Sequence, residues 1–227
     1  MTRIALIIAE SSLEIIPEEI RNERIIRMFC KRKAKPPEQT LLDQSYHHKA
    51  ILKLNQPEKR GRPDIAHFSL LEATLIPLYF RDQLDVYLHT IDDKVIWIGK
   101  NIRLPKVYER FIGLIEQLYV KKSINYQGKE LLRLSRSSLE ELLNELKPSR
   151  VIGLSRIGKH SSYEAVSEHA LKYERPVFVV GGFARGHFRE RNLELMNNVF
   201  SVSEYGLEAH VVVSRILYET EKLINIS

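Results

Sequence analysis

Apolar runs alternate with amphipathic stretches along the whole chain, which predicts an α/β class with a mainly parallel sheet. RIALIIAE (3–10) and RPVFVVGG (175–182) are apolar enough for strands buried on both faces, and the second ends in a glycine pair. ELLRLS (130–135), VIGLS (151–155) and NVFSVSEYG (198–206) predict further strands, the last running on into a loop. LDVYLHT (84–90) and KVIWIG (94–99) predict a hairpin across Ile91, Asp92 and Asp93. Helical spacing marks LLDQSYHHKAILKL (41–54), FSLLEATLIPLY (68–79, closed near Pro77), SYEAVSEHALKY (162–173) and LEAHVVVSRILYETEKL (207–223). A further helix opens at Leu104-Pro105, with Val107, Phe111, Leu114, Ile115 and Leu118 as its core stripe. Ser137 or Ser138 caps LEELLNELK, and residues near 121–129 read as a linker.

The chain has 227 residues, 44% of them hydrophobic and 28% charged, which is ordinary for a folded domain with a substantial core. The apolar run at 4–9 stops at Glu10, too short for a signal segment or a membrane span. A single cysteine, Cys30, excludes an internal disulfide framework and any multi-cysteine metal site, and a reducing, cytoplasmic compartment is expected. The net charge of +6 is unevenly spread. Residues 21–62 hold twelve Lys/Arg against four acidic residues, a local +8, which is the footprint of a phosphate-binding surface.

VIGLSRIGKHSS (151–162) lacks one feature of a phosphate-cradling P-loop, because His160 stands where a magnesium-binding hydroxyl is needed. GGFARG (181–186) has the wrong glycine spacing for a dinucleotide fingerprint. Both lie instead in loops after strands, as does SVSEYGLEA (201–209). Three loops at the carboxyl ends of parallel strands suit a compact adenosine-containing cofactor; the plain alternative is that Gly181 and Gly182 only turn the chain. In KRGRPDIAH (59–67), Gly61 and Pro63 predict an irregular loop presenting Arg60 and Arg62, with Asp64 placed to pin a guanidinium. In NIRLPKVYERF (101–111), Lys106 and Arg110 share a helix face and Arg103 extends the row past its start. No histidine pair has metal-chelating spacing, so no metal is expected.

In this order, LLDQSYHH, KRGRPDIAH, VYLHT, IRLPKVYERFIGLIEQL, GLSRIGK, VFVVGGFARGHF and SVSEYGLEAHVVVSRILYE resemble the pseudouridine-specific rRNA methyltransferases of small-subunit assembly. These are the nucleolar essential protein family of archaea and eukaryotes, of the SPOUT class, and the likeness runs from about residue 1 to 223. It implies a single domain over 1–227, with an RNA-binding extension within about 30–110 and a C-terminal trefoil knot. It also implies S-adenosylmethionine as cofactor, S-adenosylhomocysteine as product, and methylation of ring nitrogen 1 of a pseudouridine in small-subunit rRNA. Matching cofactor positions are Leu154, Gly181, Gly182 and Gly186, then Ser201, Val202, Ser203, Glu204, Tyr205, Gly206 and Leu207. Matching RNA positions are Arg60, Arg62, Arg103, Lys106 and Arg110, with Asp64 holding the arginine pair and standing as a candidate proton acceptor. Gly206 departs from the pattern, which has proline there. The implied partners are rRNA, a second copy of the chain, and other assembly factors or ribosomal proteins; the apolar Val211, Val212, Ile216 and Leu217 of the closing helix predict that it packs on that second copy. A eukaryotic source would imply the nucleolus. The competing class is a non-catalytic rRNA-binding assembly factor that keeps the fold.

Overall fold

The computed structural model describes residues 3–225, so residues 1, 2, 226 and 227 of the expected domain lie outside it. Its strands are β1 (Ile4–Ser11), β2 (Leu84–Thr90), β3 (Lys94–Ile98), β4 (Ser123–Tyr126), β5 (Lys129–Arg136), β6 (Arg150–His160), β7 (Pro176–Gly181) and β8 (Asn198–Ser201). They form one sheet in the order β4-β5-β3-β2-β1-β7-β6-β8. From β2 to β8 every pairing is parallel. The hairpin partner β3 then turns the sheet antiparallel, and β5 and β4 continue it to the far edge. The mainly parallel sheet read from the apolar runs is therefore present, with an antiparallel wing.

The helices are α1 (Arg24–Lys33), α2 (Gln44–Ile51), α3 (Pro63–Thr74), α4 (Pro77–Phe80), α5 (Tyr108–Lys121), α6 (Leu139–Leu146), α7 (Tyr163–Ala170), α8 (Glu190–Leu193) and α9 (Ala209–Leu223). Side chains alternate across β1 as a strand requires. Ile4, Leu6 and Ile8 join the apolar faces of α3, α5, α7 and α9 through Leu70, Phe111, Val166 and Val213. Ile7 and Ala9 point the other way, onto Leu139 and Leu142 of α6. The basic stretch builds a third cluster from Ile16, Ile26, Cys30, Leu42, Ala50 and Ile51, so it is a folded module rather than a solvated loop.

Several boundaries differ from those the sequence predicts. Asp43 caps α2, accepting from the Ser45 amide at 2.8 Å, so the helix begins at Gln44 instead of 41. Proline at its first position lets α3 start at Pro63, which shortens the expected loop at 59–67. Conversely α5 starts at Tyr108, not at Pro105, and Lys106 lies outside it. Val107 is consequently exposed and absent from the core stripe, whereas Phe111, Ile115 and Leu118 are buried as expected. The linker near 121–129 contains β4. Helix α1, absent from the elements expected, packs Ile26 and Cys30 inward with Ile25 and Phe29 beside them, among many charges. Ser138 caps α6 in a full capping box with Glu141.

Strand β6 is longer than the apolar run 151–155. Leu154 and Lys159 both pair with Phe200, so residues 155–158 are extruded from the ladder. Gly158 returns the chain so close to β8 that a Cβ there would lie 2.6 Å from backbone atoms of Val199 and Phe200. A side chain at 158 must force two backbones apart, whereas one at Gly113 on α5 meets nothing within 4 Å. Gly158→Ala is expected to cost about 3 kcal/mol or more in chemical denaturation, while Gly113→Ala gains up to about 1 kcal/mol.

Candidate functional site

Three loops close on one cleft of about 430 Å³: the bulge 155–158 of β6, the loop after β7 and the loop after β8. Leu154 stands in β6 at the edge of the first, Gly181 ends β7 and Gly186 lies in the second. Ser201 ends β8, and Val202, Ser203, Tyr205, Gly206 and Leu207 lie in the third. Gly182 and Glu204 do not line it. A Cβ on Gly182 would collide with Ser11 Oγ and approach Ile8 and the Ser11 Cα at 2.9 Å, so this glycine serves strand packing instead. Its amide donates to the Ala9 carbonyl and its own carbonyl accepts from Ser12 (2.8 and 2.9 Å). Arg156, Phe183, Arg185, His187 and Glu208 also line the cleft. All belong to the same glycine-containing motifs, and only their direction toward the cleft was hidden.

One buried ion pair fixes the second loop. Lys59 Nζ lies 2.9 Å from Glu10 Oε2, with the two side chains 4% and 0% exposed. The ammonium also donates to the His187 carbonyl and stands 4.5 Å from the Phe183 ring centroid. The other Glu10 oxygen accepts from the Arg189 amide (2.7 Å) and Asn192 Nδ2 (2.8 Å). Ser12 Oγ donates to the Lys59 carbonyl at 2.5 Å. Lys59, the first residue of the basic motif, is thus internal and ties that motif to the cleft.

The basic candidates divide. Arg62 makes a two-pronged pair with Asp64 (2.9 and 2.8 Å) and stays one-third exposed. Arg60 does not share that carboxylate. Its Nη1 donates to Glu14 (2.9 Å) and its Nε to the Asn55 carbonyl (2.9 Å), leaving the side chain 16% exposed. The expectation that Asp64 holds both arginines, with both presented outward, is corrected: Glu14, far off in sequence, takes Arg60 inward. Arg103, Lys106 and Arg110 are all exposed. Because α5 starts late, the first two project from an extended stretch, which His67 secures by donating from Nε2 to the Pro105 carbonyl at 2.7 Å.

Burial pushes the Glu14 carboxyl up to about 7, with Arg60 pulling the other way. Its Oε1 has no hydrogen-bond partner among the described residues. Burial also drives His47 down to about 4.

These loops and the cleft define an α/β protein with a small-molecule site at the carboxyl ends of its parallel strands, rimmed by exposed cations. A profile of the EMG1/NEP1 methyltransferase family matches residues 6–221. The chain is 42% identical to the ribosomal RNA small subunit methyltransferase Nep1 of Pyrococcus furiosus, over 83% of this chain and 84% of that one. It is 39% identical to the Nep1 of Thermococcus onnurineus, over 95% and 97%. The crystal structure of Archaeoglobus fulgidus Nep1 bound to S-adenosylhomocysteine superposes with a TM-score of 0.87 at 31% identity, covering 99% of this chain and all of that one. The chain belongs to the EMG1/NEP1 methyltransferase family. No helix among the described residues is long and apolar enough to cross a membrane.

Two outcomes follow from the buried charges. Lys59→Met leaves Glu10 buried without its counter-charge, an expected loss of about 3–5 kcal/mol in denaturant, and adding Glu10→Gln should restore part of it. For Glu14 the folded carboxyl titrates above its unfolded value, so the native state binds more protons between pH 4.5 and 7. Stability therefore falls as pH rises through that window, by roughly 3 kcal/mol from this group. His47, depressed from 6.5 to about 4, contributes the opposite slope between pH 4 and 6.5. The difference between the native chain and Glu14→Gln, followed by denaturation across pH 4.5–7.5, isolates the first effect.

Proposed function

We propose that this chain transfers a methyl group from S-adenosylmethionine to ring nitrogen 1 of a pseudouridine in small-subunit rRNA, and so takes part in ribosome biogenesis. The observation that carries the reading is the convergence of three loops on one cleft in a chain of this family. The cleft fits the cofactor. It offers apolar walls at Leu154, Val202, Leu207 and Val212 and cations at Arg156 and Arg185. Bound there, S-adenosylmethionine supplies an electrophilic methyl on its sulfonium, and S-adenosylhomocysteine leaves as product.

The chain's own part is orientation and charge. Pseudouridine is joined to its ribose through carbon, so a ring N–H is available that uridine lacks. Holding that nitrogen in line with the donor is the main contribution, since a well-oriented pair replaces a bimolecular encounter. The base must leave its stack to reach a cleft of this kind. Arg62, Arg103, Lys106 and Arg110 hold the phosphates, and Arg62 stabilises charge developing on the ring carbonyls. Asp64, with both oxygens taken by Arg62, acts as a positioning residue. Glu208 lines the cleft, and in this reading it receives the proton.

The C-terminal trefoil knot belongs to the same reading, supported by the order β7-β6-β8 and by the passage of Gly158 against β8. We read residues 3–225 as one domain, with the module at about 30–110 as its RNA-binding extension. Dimerisation is proposed through the outer face of α9. Ile216 and Leu217, expected on that face, are instead buried in the chain's own core, and Val212 lines the cofactor cleft, while Tyr218 is 60% exposed and Val211 partly so.

A hairpin containing pseudouridine, incubated with S-adenosylmethionine, should gain one methyl by nucleoside mass analysis. The uridine hairpin should gain none, because its nitrogen 1 is bonded to the sugar. Methylated uridine overturns the assignment, and tight binding without methylation favours the assembly-factor reading. Arg62→Ala should weaken hairpin binding and flatten its salt slope by roughly 0.7–0.9, with cofactor affinity unchanged by calorimetry. Gly206 has no positive φ, and a Cβ there would lie 3.7 Å from Arg156. Gly206→Ala is therefore expected to bind the cofactor at least as well and to gain about 0.4–1 kcal/mol of stability.

A further inference from the structure

A second cavity of about 290 Å³ lies between α1, α2 and α5, and the function above makes no use of it. Three aromatic rings line it: Phe29 and Tyr46, packed with centroids 4.9 Å apart, and Tyr108 of α5. Tyr46 is 46% exposed, so its ring is open to a ligand from the cavity side. Arg32 and Lys33 stand 5.4 and 5.9 Å from the Phe29 ring centroid, so the run KRKAK (31–35) meets the cavity mouth. Inside are two carboxylates that the fold already orients. Asp43 accepts from Tyr108 Oη at 2.7 Å, and Glu116 accepts from Lys35 (2.5 Å) and the Leu41 amide (2.9 Å).

We propose that this cavity is a nucleotide site, taking an unpaired base that flanks the acceptor on the same strand. The base stacks on Tyr46 and Phe29, its amino edge faces Asp43 and Glu116, and its phosphate meets Arg32 and Lys33. Stacking rings with cations at the rim is the construction that holds single-stranded nucleic acid. Placement agrees with this. Arg62 stands at the start of α3, whose His67 ring lies 6.1 Å from that of Tyr108 on this cavity. The Phe68 ring of the same helix lies 5.6 Å from that of His210, two residues beyond Glu208 on the cofactor cleft. A strand crossing Arg62 can therefore deliver one base to each side. Gln44 at the start of α2 donates to the Gly61 carbonyl at 2.8 Å, which joins the cavity wall directly to the basic loop. The inference rests on the rRNA reading above and adds a second contact to the same strand.

The test pairs Tyr46→Ala with a set of hairpins, each carrying one abasic position beside the pseudouridine. Binding to the intact hairpin should weaken about tenfold in Tyr46→Ala, the increment of one lost base stack. One abasic position should cost the native chain the same factor and cost Tyr46→Ala nothing further. Affinity for S-adenosylhomocysteine, measured on the same samples, should not change. Undiminished hairpin binding by Tyr46→Ala overturns the site and leaves the cavity to a protein ligand. An equal loss on every abasic hairpin also overturns it, since no single base then occupies the cavity. If the native chain binds no hairpin, the rRNA reading itself fails, a result distinct from both.

Discussion

A lysine ammonium sealed against a glutamate is the constraint from which the site is built. Removing both charges from water is costly, and the Lys59–Glu10 contact returns that cost only with the help of further hydrogen bonds on both groups. The carboxylate binds the Arg189 amide and Asn192, and the ammonium reaches the His187 carbonyl. Three distant stretches are thereby pinned at one point: the end of β1, the basic loop, and the loop after β7. A hydrophobic replacement of similar volume would hold them less selectively, because apolar contact has no preferred partner atoms. The Glu10 backbone has φ 50°, a left-handed conformation that non-glycine residues seldom adopt and that this network holds in place.

From that point the division of labour among the arginines follows. The basic loop cannot move freely once Lys59 is internal, so its next residues take fixed directions. Arg60 turns inward to Glu14, and Arg62 stays at the surface beside Asp64. Two arginines separated by a single glycine thus have different work, one securing the module and one facing outward.

The sheet and the three loops were legible because their signals are local: apolar runs, then glycines where strands end. What escaped was set by remote partners. Gly182 reads as a ligand glycine until Ser11 is seen against it. Arg60 reads as exposed until Glu14, separated from it by 46 positions, is found alongside. Helix α5 begins after Pro105 because His67 holds that carbonyl from another helix. Charges dominate α1 and obscured it, although Ile25, Ile26, Phe29 and Cys30 recur at helical spacing on its inner face. The second cavity needed α1, α2 and α5 together, so no stretch of sequence announces it.

The central position of β1 also has a consequence during synthesis. Its register pairs Ala5 with Asp85 on one side and with Val177 on the other. The first neighbour is made early, but the second emerges some 170 residues after β1 itself. At translation rates of about 5–20 residues per second, that edge of β1 waits roughly ten to thirty seconds for its partner. Throughout that interval an apolar strand edge is open to wrong pairing. The same geometry orders the birth of the site. The Glu10–Lys59 contact can form early, but its bonds to Arg189 and Asn192 wait until almost the whole chain has appeared.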